Sequence, residues 1–237
     1  MWLINSSIGR KVVMSVTGIA LILFLTFHGC MNVVALFSGN AYNMICELLG
    51  ANWYAVVATL GLAALAVIHI VYAFILTAQN RTARGNSRYD VATTVNAGKV
   101  EWASKNMLVL GIIICLGLLL HLYNFWYNMM FAELIGAMPA ISPTDGFGWI
   151  KETFSNPVFS VLYIIWLVAI WFHLTHGFWS AMQTLGWSGK TWLCRWKMIG
   201  IIYVTLLMLC FLVVVLAFWF GCAPSLCDGS CCGCSCC

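Results

Sequence analysis

The sequence predicts an all-α fold: a polytopic membrane protein formed by a bundle of five transmembrane helices, with the N-terminus cytoplasmic and the C-terminus outside. Three observations predict it. The 237-residue chain is 63% hydrophobic and only 8% charged, the composition of a membrane protein rather than a soluble domain. Five windows contain no Asp, Glu, Lys or Arg, and each exceeds the roughly 18 residues a helix rising about 1.5 Å per residue needs to cross a hydrocarbon core of about 30 Å. Ten of the eleven Lys and Arg residues fall on one side of those windows.

The first span, Val12–Phe37, follows Arg10 and Lys11; it carries a histidine and lacks a convincing cleavage site, so it reads as retained rather than removed as a signal. The second, Trp53–Ala78, leads into a loop with Arg81, Arg84, Arg88, Lys99 and Lys105. The third, Met107–Ala132, and the fourth, Val158–Gln183, precede a second basic loop with Lys190, Arg195 and Lys197. The fifth, Met198–Gly221, completes a membrane domain over residues 1–221, followed by a cysteine-rich tail over 222–237. Short loops bearing Lys and Arg stay in the cytoplasm. The opposite side keeps only Lys151, together with Glu47, Glu133, Asp145, Glu152 and Asp228. Topology thus accounts for the net charge of +4, and with no compact basic patch left over, nucleic acid is excluded as a partner.

All five histidines lie within spans: His28 in the first, His69 in the second, His121 in the third, His173 and His176 in the fourth. Ionisable groups are costly inside a bilayer, face the bundle interior and mark functional sites; interhelical hydrogen bonding is the plainer alternative for any one of them. Depth sorts them. His28 and His121 lie past the centres of outward-running helices, roughly 2–5 Å outward of the midplane, whereas His69 and His173 lie roughly 4–5 Å on the cytoplasmic side. Two layers of two imidazoles match what two six-coordinate haem irons need. Zinc competes, but it takes about four ligands, and no Cys, Asp or Glu falls at fitting depth, although Cys30 and Cys115 are in the neighbourhood. A histidine relay for protons is a further rival, and it does not require layering into pairs. No C-x-x-C-H occurs, so covalent attachment is excluded and the expected cofactors are two haem b.

Gly29 and Gly177 beside these histidines, and Gly18, Gly61 and Gly117 on the same spans, suit either a flat macrocycle approaching the backbone or ordinary small-residue helix packing. His176, three residues after His173, shares its helix face one turn nearer the cytoplasm. It is read as a propionate contact, a packing residue or an alternative ligand.

Four segments carry a family resemblance: "SSIGRKVVMSVTGIALILFLTFHGCMN", "VIHIVYAFILTAQNRTAR", "LLHLYNFW" and "FHLTHGFWSAMQTLG". Over about Ser6 to Val215 the chain resembles the cytochrome b558 membrane subunit of succinate dehydrogenases and fumarate reductases, in its single-chain, five-helix, two-haem form. The resemblance implies a subunit in a bacterial cytoplasmic (inner) membrane. It would dock an iron-sulfur subunit and an FAD-bearing flavoprotein subunit on its cytoplasmic face and pass electrons between them and a quinone, with menaquinone expected. No dicarboxylate chemistry would occur on this chain, and a dimer of such complexes is compatible with it. Carried over by position, His69 and His173 match the ligands of the haem nearer those subunits, and His28 and His121 those of the distal haem. Where some relatives carry an acid near the fourth-span ligand, this chain departs from the resemblance with Trp171 and Phe172.

Haems stacked at two depths would move charge with or against the membrane potential, at about 2.3 kcal/mol per charge per 100 mV. A quinone needs an apolar slot and a group that exchanges protons with water. Beside the distal haem, Glu47 in the outer loop is the acid expected to serve, a solvated loop carboxylate being the alternative, and Tyr123 and Trp126 either line the slot or form an interfacial aromatic belt. Two other functions stay open: a cytochrome b subunit of a hydrogenase or formate dehydrogenase, and a haem-free, histidine-lined proton carrier. The tail holds seven of the twelve cysteines, with C-x-x-C spacing at Cys231/Cys234 and Cys234/Cys237. Lacking histidine and placed outside, it reads as a disordered or disulfide-linked appendage ahead of a metal site.

Overall fold

The structure, a computed structural model, describes residues 6–84 and 102–223. Arg88 and Lys99 of the first basic loop, and the tail from residue 224 onward with Asp228, Cys231, Cys234 and Cys237, lie outside the described residues. Every regular element among the described residues is helical: α1 (Ser7–Val34), α2 (Gly39–Leu48), α3 (Trp53–Arg84), α4 (Trp102–Lys105), α5 (Met107–His121), a π-helical segment (Leu122–Phe131), α6 (Ala132–Leu134), α7 (Gly146–Ser155), α8 (Pro157–Thr184) and α9 (Lys190–Trp219). Five stretches are long and apolar enough to cross a membrane: Ser7–Val34, Trp53–Ala83, Met107–Leu134, Pro157–Thr184 and Thr191–Trp219. The chain is an all-α, multi-pass membrane protein.

The helices overrun the charge-free windows. α1 begins at Ser7 rather than Val12, α3 runs on to Arg84 past Ala78, and α9 begins at Lys190 rather than Met198. A charge ends burial in lipid but does not end a helix; caps do. Ser6 Oγ accepts from the Gly9 amide at 2.9 Å and starts α1. Asn156 Oδ1 accepts from the Val158 amide at 2.9 Å, with Pro157 supplying the preset first-turn backbone of α8. At the far end of α8, Gly186 takes φ +84°, its amide bonds the Gln183 carbonyl, and the Trp187 amide bonds the Met182 carbonyl. That is a Schellman closure, and Gly221 ends α9 in the same way. These bonds satisfy carbonyls that lipid would leave orphaned.

α1 stops at Val34 instead of Phe37, because Ser38 accepts from the Ala41 amide at 3.2 Å and opens α2. α2 and α7 are helices that the hydropathy pattern alone does not reveal, being too short and too mixed to span. They pack on each other at one end of the bundle: Asn43 Nδ2 donates to Asp145 Oδ1 at 2.7 Å, and the Phe147 amide donates to Asn43 Oδ1 at 2.9 Å. Asp145 also caps α7 by accepting from the Gly148 amide at 2.9 Å.

α8 and α9 form the tightest pair. Tyr163, Leu167 and Ile170 of α8 meet Val204, Leu207, Met208, Val214 and Phe218 of α9, over Phe147, Ile150 and Phe154 of α7. Sparse polar bonds tie the spans together, as expected where lipid removes the hydrophobic drive between helices. Trp171 Nε1 donates to Thr205 Oγ1 at 2.9 Å, and the hydroxyls of Thr26 and Tyr203 join α1 to α9. α1 packs against α3, α8 and α9. By contrast α3 leans on α1, touches α5 only slightly, and buries a single residue, Ala55.

Candidate functional site

Four of the five histidines meet as two couples. The rings of His28 on α1 and His121 on α5 have centroids 5.8 Å apart with planes at 84°, and those of His69 on α3 and His173 on α8 are 6.4 Å apart at 66°. In neither couple are the rings hydrogen-bonded to each other, and the Nδ1 atoms of His121 and His173 are buried with no partner. An unpaired polar atom inside a membrane bundle is expensive.

The helices behind each couple stand apart. No Cα of α1 comes within 8 Å of a Cα of α5, and none of α3 within 8 Å of α8, although α1 and α8 each pack closely on other spans. Packed helices ordinarily have axes about 8–10 Å apart. Across each of these wider separations the two histidine rings meet. With metal–imidazole bonds of about 2 Å, and about 1.1 Å more from nitrogen to ring centre, two imidazoles on opposite sides of one metal have centroids about 6 Å apart. Both couples satisfy that spacing. A tetrahedral zinc is not served: among the described residues no group of three or more His, Cys, Asp and Glu comes together. The donor set, two imidazoles at this spacing, fits a haem.

Helix rise gives the separation of the couples. Thr17, which contacts His69, lies eleven residues before His28 on α1, and Tyr163, 6.2 Å from the His121 ring, lies ten residues before His173 on α8. Both spacings correspond to about 15 Å along a helix. The His28/His121 couple lies toward the end that carries α2 and α7. His28 stacks on Phe24 at 5.5 Å and faces Phe211 at 5.8 Å, while His121 sits among Phe125 at 5.2 Å, Trp166 at 5.6 Å and Tyr163. The π-helical segment starts at the residue after His121. Its wider turns bond Asn128 Nδ2 to the carbonyls of Tyr123 and Asn124 at 3.0 and 3.2 Å.

Other expected site residues fall differently. Tyr123 and Trp126 turn outward, Tyr123 stacking on Tyr127 at 6.1 Å and Trp126 meeting Phe131 at 5.5 Å. Phe125, four residues on and so on the same helix face, surrounds His121 together with Tyr163 and Trp166 of α8. His176 packs edge-on against Trp179 at 4.9 Å, and the Lys197 ammonium lies 4.3 Å over that same indole. Glu47 lines a cavity of about 200 Å³ with Asn40, Asn43, Met44, Thr144 and Asp145. The residue of α2 that reaches back to the His28 turn is Tyr42: its hydroxyl donates to Asn32 Oδ1 at 3.2 Å, and Asn32 Nδ2 donates to the His28 carbonyl at 2.8 Å. Of the glycines, Gly18 faces His69, Gly29 faces Leu207 and Phe211, and Gly117 faces Trp166, whereas Gly61 and Gly177 face nothing within 4 Å. Helix packing thus accounts for Gly29 and Gly117.

Beneath Tyr42, the thiol of Cys46 is enclosed against Gly146. Burial pushes its pKa up from 9.0 to about 11, with the nearby Asp145 carboxylate adding to the rise. Burial likewise carries Tyr42 well above its usual 10.0. Only the thiolate is nucleophilic, so at pH 8 Cys46 is expected to alkylate roughly 100-fold more slowly than an ordinary thiol. The rate should climb about tenfold per pH unit up to the shifted pKa. Quantifying iodoacetamide labelling of Cys46 by peptide mass spectrometry, folded against denatured, checks both.

No family model, curated protein or solved structure matches this chain.

Proposed function

We propose that this chain is a dihaem cytochrome b of the bacterial cytoplasmic membrane, and in particular the membrane anchor and quinone-reactive subunit of a succinate:quinone oxidoreductase or quinol:fumarate reductase. One observation carries the haem reading: two helix pairs that stand apart each bring a couple of imidazoles together at a spacing of about 6 Å. The resemblance of the four histidine-bearing segments carries the more particular assignment.

His28 and His121 would hold one haem b, His69 and His173 the other. Bound there, the haems supply one-electron redox chemistry at two depths. The chain's own residues position and enclose these sites. Phe24, Phe211, Phe125 and Trp166 wall the first couple from water, and the bond from Tyr42 through Asn32 to the His28 carbonyl fixes the turn that presents His28. Thr17 and Gly18 seat His69.

Arg10, Lys11, Arg81, Arg84, Lys105, Arg195 and Lys197 would mark the cytoplasmic face, where the iron-sulfur and FAD-bearing subunits dock. Menaquinone would react near the His28/His121 end, with Glu47 exchanging its protons at the membrane surface.

The test is a reduced-minus-oxidised visible spectrum of the purified chain with a pyridine haemochrome assay. Two b-type haems per polypeptide are expected. A colourless protein made with ample haem supply removes the reading in favour of a proton carrier. Mass spectrometry of co-purifying subunits separates a succinate or fumarate complex from a hydrogenase or formate dehydrogenase.

A further inference from the structure

Thr17 is 5% exposed and bridges α1 to α3, its Oγ1 lying 3.1 Å from His69 Nδ1. The same oxygen lies 2.9 Å from the Val13 carbonyl and 3.1 Å from the Met14 carbonyl. A hydroxyl has one hydrogen, and a carbonyl oxygen can only accept. Threonine in a helix interior habitually gives that hydrogen back to such a carbonyl, and the shortest of the three distances here is the one to Val13. With Thr17 back-bonded in this way a lone pair faces His69, and Nδ1 carries the ring proton. A neutral imidazole has only one N–H, which leaves Nε2, on the ring edge away from Thr17, as a free electron-pair donor.

We infer that Thr17 is a positioning residue that sets the tautomer of His69, holding it with Nδ1 protonated and Nε2 available to a metal. Gly18 completes the seat: a Cβ there would lie 3.3 Å from His69 Cε1, so a larger side chain would press on the ring at the atom between its two nitrogens. The site is asymmetric. His173, the other member of the couple, has no partner at Nδ1, and neither has His121. A hydrogen bond from the non-ligating nitrogen fixes ring orientation and makes the ligating nitrogen a stronger donor, and its loss typically costs about 10–100-fold in metal affinity. A stronger donor favours the more positively charged state of a bound iron, so loss of the Thr17 bond shifts that centre's midpoint potential upward.

The role at iron rests on the proposed haem function; the tautomer does not, and the experiment keeps the two apart. In the full-length, haem-free chain in detergent, nitrogen-15 NMR of labelled histidine, with His69 assigned by a His69→Asn variant, is expected to show protonated Nδ1 and pyridine-type Nε2. Thr17→Val should move His69 toward protonated Nε2, and Thr17→Ser should restore the wild-type pattern. Wild-type His69 protonated at Nε2, a result that needs no variant to fold, overturns the inference, as does a Thr17→Val spectrum identical to wild type. In the haem-loaded chain, redox titration should show one of two components moved to higher potential by Thr17→Val and returned by Thr17→Ser. An unmoved titration overturns the role at iron. A chain that takes up no haem removes the proposed function and leaves the tautomer result standing.

Discussion

His121→Ala is expected to lower the haem content from two per chain to one, leaving the second pigment spectrally intact. His121 sits in a nest of Phe125, Tyr163 and Trp166 with one ring nitrogen unpartnered, and its couple is about 15 Å along the helices from the other. Substitutions at that separation act independently, while those within one couple do not. His28→Ala should therefore remove the same pigment, and the His28→Ala/His121→Ala double variant should remove nothing further. Combining His121→Ala with His173→Ala should leave the chain colourless. Deleting a buried ring also opens a cavity, at a cost on the order of 2–5 kcal/mol. His121→Phe fills most of that volume without a donor nitrogen and should lose the same single pigment. Haem-to-protein ratios and the difference spectrum of each variant decide it. If His121→Ala keeps both pigments or loses both, the pairing is wrong.

The number of spans was legible because lipid admits so few solutions: a charge-free run of this length has to be a helix. The histidine layers were legible for a related reason, since antiparallel spans of fixed rise turn sequence offset into height. The rings that share a height, His28 with His121 and His69 with His173, are the ones that lie together. Helix ends were not legible from charge, because Arg10, Arg84 and Lys190 lie inside helices, and ends are set instead by local backbone bonds such as those of Ser6 at the start of α1 and of Asn156 and Gly186 at the two ends of α8. α2 and α7 escaped because the Asn43–Asp145 bonds that hold them are contacts between residues about a hundred positions apart. The π segment escaped as well: its turns differ from α turns by a hydrogen-bond register that hydropathy does not record. Thr17 was hidden for a different reason. A threonine in an apolar helix is unremarked until the ring it touches on another helix is known.

Gly117→Ala is expected to destabilise the chain by about 1–3 kcal/mol, the usual cost of overpacking, although alanine is favoured over glycine in a helix interior by about 1 kcal/mol. A Cβ at position 117 would overlap three atoms of the Trp166 indole, far inside van der Waals contact. The indole has no easy escape: its Nε1 donates to the Ile114 carbonyl at 3.1 Å, its ring lies 5.7 Å from Tyr163, and its other neighbour is His121 at 5.6 Å. Moving it leaves an N–H unpaired where no water replaces the carbonyl, and disturbs the ring against which His121 packs. Gly61→Ala is the matched control, because its Cβ meets nothing within 4 Å, so the haem-free chain should be unchanged or gain up to about 1 kcal/mol from propensity alone. Thermal unfolding of both variants as haem-free chains in the same detergent separates packing from cofactor binding. In the haem-loaded chain, Gly117→Ala should perturb only the pigment assigned to His28 and His121, since Trp166 lies seven residues, or about 10 Å along α8, from His173. Equal stability of the two variants would show that α5 and α8 are not in the close contact that positions His121.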